Sequence, residues 1–119
     1  MLSRRAVITS LAAMTAWPSG VLAQTFPAKQ IRIIVPYPAG GPTDALARIV
    51  GQEIAAALGQ AVVIENRPGA SGAIGSREGA KAEADGHTLV LGNNQTHATN
   101  ALLMKDLGYD PQKDFVPIA

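Results

Sequence analysis

The sequence predicts an α/β fold, a parallel sheet built from a βαβαβ unit. Three apolar runs, at 31–35 (IRIIV), 61–64 (AVVI) and 87–92 (HTLVLG), are short and rich in β-branched residues or leucine. The apolar residues in them are clustered rather than alternating, the pattern of strands buried on both faces. Two stretches with helical character separate the runs, and Pro- or Gly-bearing segments follow the first two. Strand, helix, strand, helix, strand at these distances requires parallel pairing with right-handed crossovers.

Each element has a local cause. Pro36 and Pro38 end the first strand, because neither has an N–H for the ladder. Gly40 and Gly41 permit a tight turn and leave main-chain amides uncovered. Pro42 suits a first helical position, so a helix opens at about Pro42 or Thr43. It runs to Leu58, where Gly59 is placed for a left-handed cap. Leu46, Ile49, Val50, Ile54 and Leu58 form the stripe expected to pack on the sheet, with Arg48, Gln52, Glu53 and Gln60 toward solvent. The 65–72 loop breaks the second strand with Pro68 and glycines. A weaker helix spans about 73–82, since Gly75 and Gly79 each cost about 1 kcal/mol against alanine unless close packing needs them. Residues 84–86 (ADG) turn into the third strand. The polar run 93–100 (NNQTHATN) leads to a short helix at about 101–105, then a turn-rich connection at 107–113 and an extended segment at 114–118.

The first 23 residues read as a secretory signal peptide. Arg4 and Arg5 precede an apolar core at 6–17 that is too short to span a bilayer, and Val21-Leu22-Ala23 gives small residues before a cleavage after Ala23. The shortness of that core argues against an N-terminal membrane anchor, so no stable membrane insertion is expected after cleavage. The hydrophobic residues following the arginine pair match a twin-arginine signal poorly, which favours ordinary secretion to the periplasm. Residues 24–119 carry eight basic and nine acidic side chains. Scattered cations and a near-zero charge give no nucleic-acid footprint. Without cysteine, disulfides play no part in stability. The apolar ending at 116–119, with no turn or cap after it, suggests that the sequence belongs to something longer.

In an open parallel sheet, ligands bind beyond the carboxyl ends of strands, where strand order reverses. If the first and third strands are neighbours, two loops meet there. One, from Tyr37 through Pro38, Ala39, Gly40, Gly41 and Thr43 to Asp44, offers main-chain amides at a helix N-terminus. The other offers Gly92 and the side chains of Asn93, Asn94, Gln95, Thr96 and His97. Amides facing neutral hydrogen-bonding groups suit a small carboxylate; the alternative is a pair of solvated turns. Asp44 fits a role in capping and dipole complementarity, worth about 1 kcal/mol, or in orienting the loop. Tyr37 fits a lid or wall.

Other motifs fall short. The 69–75 segment has GxxGxxG spacing after the second strand, not GxGxxG after the first, so no dinucleotide cofactor is expected. Ser71 lacks a nucleophile elbow and a base. His87 and His97 lack a carboxylate or thiol cluster, so no metal is expected, and His87 reads as a strand-edge residue. Asn94-Gln95-Thr96 fits a glycosylation sequon, which chance explains.

The runs VPYPAGGPTDALARIVGQEI, VVIENRPGASGAIG, ADGHTLVLGNNQTHATN and LGYDPQKDFVPIA together resemble the Bug family of periplasmic solute receptors. These are the extracytoplasmic receptors of tripartite tricarboxylate transporters. The resemblance implies a type II periplasmic binding protein clamshell, with residues 24–119 forming the opening, incomplete part of lobe one. It implies a non-enzymatic role: binding a small organic acid between two lobes and presenting it to membrane permease subunits. In the family, the loops after the first and third strands line the ligand cleft, here 38–44 and 92–97. The PAGGPTD segment follows the family pattern, whereas NNQTH is amide-rich where relatives often carry small residues. Two other classes remain open at this stage: an exported α/β enzyme acting on a small acid, and a sensory ligand module of a two-component system.

Overall fold

The computed structural model describes residues 25–119, so the predicted signal peptide and its cleavage site lie outside the described residues. β1 (Ile31–Val35) is the middle strand of a parallel sheet ordered β2–β1–β3, with β2 at Val62–Asn66 and β3 at Thr88–Val90. The ladder reaches past the strand ends: Arg67 N donates to Val35 O at 2.8 Å and Leu91 N to Ile34 O at 3.0 Å. The chain leaves β1 on one side through α1 (Pro42–Leu58) and passes back to the other through α2 (Ala73–Ala80). Ile33, Val35 and Ala47 form a buried cluster on the α1 face. On the opposite face Arg32 reaches Glu78 of α2, and Gly79 packs near Ile34 and Val90. Reversed direction with helices on opposite faces gives both crossovers the same hand.

Helix α1 is rotated relative to the predicted stripe. Its buried line is Asp44, Ala47 and Gly51, with Ile54 half-buried, while Leu46, Ile49, Val50 and Leu58 are exposed. Small residues set this phase by letting the helix approach the sheet: a Cβ at Gly51 would stand 3.2 Å from side-chain atoms of both Val62 and Ile64. Close approach explains the glycines of α2 as well. A Cβ at Gly75 would lie 2.8 Å from the Arg67 carbonyl and 3.0 Å from the Pro36 Cα. Across β1, β2 and α2, Arg32 and Arg67 bridge Glu65 and Glu78 at 3.1–3.3 Å. These groups are half-exposed, so each pair adds little to stability.

The greatest departure from expectation is the polar run after β3. It is helical: a π-helical turn at Gln95–Thr99 leads directly into α3 (Asn100–Leu103). Downstream, 104–115 folds back over α2, where Ala73, Leu107 and Tyr109 form a second buried cluster. The segment 114–118 pairs with no strand; Phe115 instead packs its ring on His97 and Tyr109. His87, just ahead of β3, is buried rather than a strand-edge side chain. Its Nε2 accepts from Ala28 N at 3.2 Å and its ring tilts on Phe26. No helix among the described residues is long and apolar enough to cross a membrane.

Candidate functional site

The carboxyl end of β1 opens into the 37–44 turn. Gly40 has φ +85°, a left-handed backbone that glycine adopts without strain, and Gly41 precedes the helix in extended conformation. Asp44 is 3% exposed and does not cap its own helix. It reaches back over the turn: Oδ2 accepts from Gly40 N and from Arg48 Nε, both at 2.9 Å. Its Oδ1 accepts from Asn66 Nδ2 at 3.0 Å, and the same Nδ2 donates to Tyr37 O at 3.1 Å. The Gly40 amide, expected to be bare, is therefore taken. Those of Gly41, Thr43 and Asp44 have no acceptor placed against them among the described residues.

Hydrogen bonds from Arg48, the Gly40 amide and Asn66, in that order, hold the Asp44 carboxyl down at about 2. A depressed folded pKa means stability that is present above the ordinary carboxylate range and lost as pH falls through about 2. Asp44→Asn is accordingly expected to lower the melting temperature at neutral pH, with the gap to wild type narrowing steadily from pH 4 toward pH 2. Part of the acid limb should survive the substitution, because Asp85 is also held at about 2, chiefly by Lys29 at 2.7 Å. A gap constant across that range in calorimetric scans would contradict this role.

The second loop is built by a reciprocal cap. Thr96 N donates to Asn93 Oδ1 at 3.2 Å while Asn93 N donates to Thr96 Oγ1 at 3.0 Å, which closes the start of the helical run. The Tyr37 hydroxyl donates to the same Asn93 Oδ1 at 2.9 Å, joining the two loops side chain to side chain. The predicted residues then divide. Asn93 and Asn94 are exposed, and the amides of Asn94 and Gln95 have no acceptor placed against them among the described residues. Gln95 turns inward to donate to Asn100 Oδ1 at 2.7 Å. Thr96 is fully buried, with its carbonyl accepting from the Tyr109 hydroxyl at 2.5 Å, so the sequon does not present its hydroxyl to solvent. The His97 ring lies over Gly92, where no Cβ would fit, and 4.9 Å from Phe115. Burial pushes its pKa down, which keeps the imidazole neutral at pH 7.

Two features escaped the sequence reading. Asn66, the last residue of β2, ties the first loop together. The loop after β2 closes against the second: Asn100, 1% exposed, donates to Ser71 O at 2.9 Å, and Gly72 packs between Thr96, Pro36 and Tyr37. Ala70 and Ser71 hold positive φ of 47° and 53°, a strained conformation at the rim. A polar residue ending an apolar run, at the same sheet edge as the glycine turn, was the available signal for Asn66.

The resulting edge carries main-chain donors, a phenol and carboxamides. Arg48, in the first turns of α1, is paired with Asp44. Such a surface can hold an anion by directed neutral hydrogen bonds at helix N-termini. No group of three metal-ligating side chains occurs among the described residues. A cavity of about 610 Å³ that reaches Gly92 is walled mainly by apolar side chains such as Ile33, Val50, Ile54, Leu89 and Phe115, and its charged lining residues, Glu83 and Asp114, are acidic, which suits a carboxylate poorly.

A family model described as the tripartite tricarboxylate transporter family receptor matches residues 46–119. The chain belongs to that family. Protein BugT of Bordetella pertussis is 41% identical over 115 residues, covering 96% of this chain and 35% of that protein. Among solved structures, the receptor-family chain is similar to MatC of Rhodopseudomonas palustris with bound malate, at 43% identity and TM-score 0.74 over 77% of this chain and 31% of that one. The periplasmic binding protein BugD matches at 36% identity and TM-score 0.71 over 78% and 31%. An R. palustris protein solved with adipate matches at 42% identity and TM-score 0.70 over 73% and 29%. The chain thus spans about a third of the length of these relatives. The α/β periplasmic binding protein architecture implied by the resemblance holds.

Proposed function

We propose that this chain forms the opening part of lobe one of a periplasmic receptor. The receptor captures a small organic carboxylate without turning it over and presents it to the permease subunits of a tripartite transporter. The observation that carries this reading is the Tyr37–Asn93 bond. It unites two helix starts bearing unpaired amides beyond the carboxyl ends of the paired strands β1 and β3, the switch point at which open α/β sheets bind ligands. The relatives solved with malate and adipate support the substrate class. Residues 1–23 would direct export, and residues 24–119 would supply one wall of the cleft.

Energetics call for a second wall. Each helix-start contact to a charge contributes about 0.3–1 kcal/mol, up to about 2 when partly buried. Micromolar affinity takes roughly 8 kcal/mol, so a facing lobe must close over the acid and exclude water. The test is a thermal-shift and calorimetric screen of the full receptor against malate, adipate, tricarboxylates, amino acids and aromatic acids. A cognate acid at a hundredfold excess over Kd should stabilise the protein by about 2.7 kcal/mol and be recovered unchanged. A folded receptor that responds to none of them, or that consumes the acid, would refute the proposal.

A further inference from the structure

We propose that Asn66 is the positioning residue of this site, the side chain that holds the amide turn in its ligand-ready shape; this rests on the carboxylate-binding reading above. Asn66 lies in register with Val35 at the carboxyl ends of two neighbouring strands, and the next ladder bond, Arg67 N to Val35 O, fixes its backbone. From that rigid base one NH2 group spans two acceptors, the Tyr37 carbonyl at 3.1 Å and Asp44 Oδ1 at 3.0 Å. The first contact fixes the residue whose phenol reaches Asn93. The second orients the carboxylate whose other oxygen takes the Gly40 amide. Both sides of the turn are thereby referred to the sheet, and the amides of Gly41, Thr43 and Asp44 are left without a protein acceptor among the described residues.

The chemistry needs a carboxamide. Two acceptors require two donor hydrogens on one atom, which rules out a hydroxyl, an aliphatic side chain and a carboxylate of the same shape. Removing the donor leaves Asp44 Oδ1 buried and unmatched, a group that then pulls the turn toward other partners.

The test uses the full receptor, with malate as probe, and the variants Asn66→Ala, Asn66→Asp and Glu78→Gln. Glu78→Gln weakens the neighbouring ion network away from the turn and serves as a stability control. Asn66→Ala should weaken malate roughly tenfold at every pH from 6 to 8. Asn66→Asp should weaken it more at pH 8 than at pH 6, because the introduced carboxyl faces Asp44 and can donate only when protonated. The control should bind as wild type does. In amide NMR without ligand, Asn66→Ala should shift the Gly40 resonance and raise its hydrogen exchange. Malate affinities within twofold of wild type in both Asn66 variants would overturn the proposal. So would losses matched by the control at equal stability, or an unperturbed Gly40 amide. A wild-type receptor that binds no carboxylate would sink the function proposed above, while the Gly40 readout would still decide the role of Asn66.

Discussion

Alanine at Gly75 is expected to destabilise the protein by about 1–3 kcal/mol, read as a lower urea midpoint at unchanged slope. On propensity alone the change should help, since alanine is about 1 kcal/mol better than glycine inside a helix. The surroundings reverse the sign. The added Cβ would stand 2.8 Å from the Arg67 carbonyl and 3.0 Å from the Pro36 Cα, and both obstacles are backbone at the carboxyl ends of β1 and β2. Neither can rotate away, so α2 must lift off the sheet and take Ala73 and Ser76, both fully buried, with it. Gly51→Ala in α1 gives the contrast. Its Cβ would meet side-chain atoms of Val62 and Ile64 at 3.2 Å, which yield by small rotations, so the propensity gain should survive and leave stability near or above wild type. A Gly75→Ala protein as stable as the Gly51→Ala one would mean that α2 is not held against the sheet in this way.

These two glycines also mark what the sequence could and could not reveal. The run from β1 through α1 was legible because its signals are local. Pro42 opens the helix, and Gly59 closes it at φ +65° with its amide on the Ala55 carbonyl at 3.0 Å. Spacing indicated a parallel βαβαβ unit but left the strand order as a condition; the observed order β2–β1–β3 meets it and sets the loops after β1 and β3 side by side. The rotation of α1 was not legible. Residue size at Ala47 and Gly51 decided which face approached the sheet, and a count of apolar residues favoured Leu46 and Ile49 instead. The helical winding of NNQTHATN was hidden because an Asn–Thr reciprocal cap lacks the acidic residue of the usual signature, and the polar side chains satisfy one another. Asp44 looked like a cap because its decisive partner, Asn66, lies on another strand. Gln95, Thr96 and His97 looked like a polar fringe, yet Asn100, Tyr109 and Phe115 draw them inward, and those partnerships exist only once the chain folds back over α2. Local rules read the elements; long-range partners decided which polar groups stayed free.

Valine at Gly41 is expected to weaken carboxylate binding by roughly ten- to a hundredfold while leaving the unfolding midpoint within about 0.5 kcal/mol of wild type. The fold should accept it. Gly41 sits at φ −80° and ψ 173°, ordinary extended backbone, and an added Cβ would approach only the Pro38 carbonyl, at 3.6 Å. Gly40 would be a poor choice for the same experiment, since its φ of +85° would add strain unrelated to the ligand. The isopropyl group would instead stand over the first turn of α1 and keep an anionic oxygen from reaching the amides of Gly41 and Thr43. An interaction between an amide and a charge contributes about 1.5–3 kcal/mol, so losing a single one accounts for the whole of that range. Alanine at the same position, lacking the branch, should lose less. Calorimetric titration of the full receptor with malate, alongside urea unfolding of the same samples, separates the two effects. Wild-type affinity in Gly41→Val would place the acid away from the α1 turn. Lost affinity at preserved stability would tie the guest to the main-chain nitrogens that Pro42, Gly41 and Asp44 together leave uncovered.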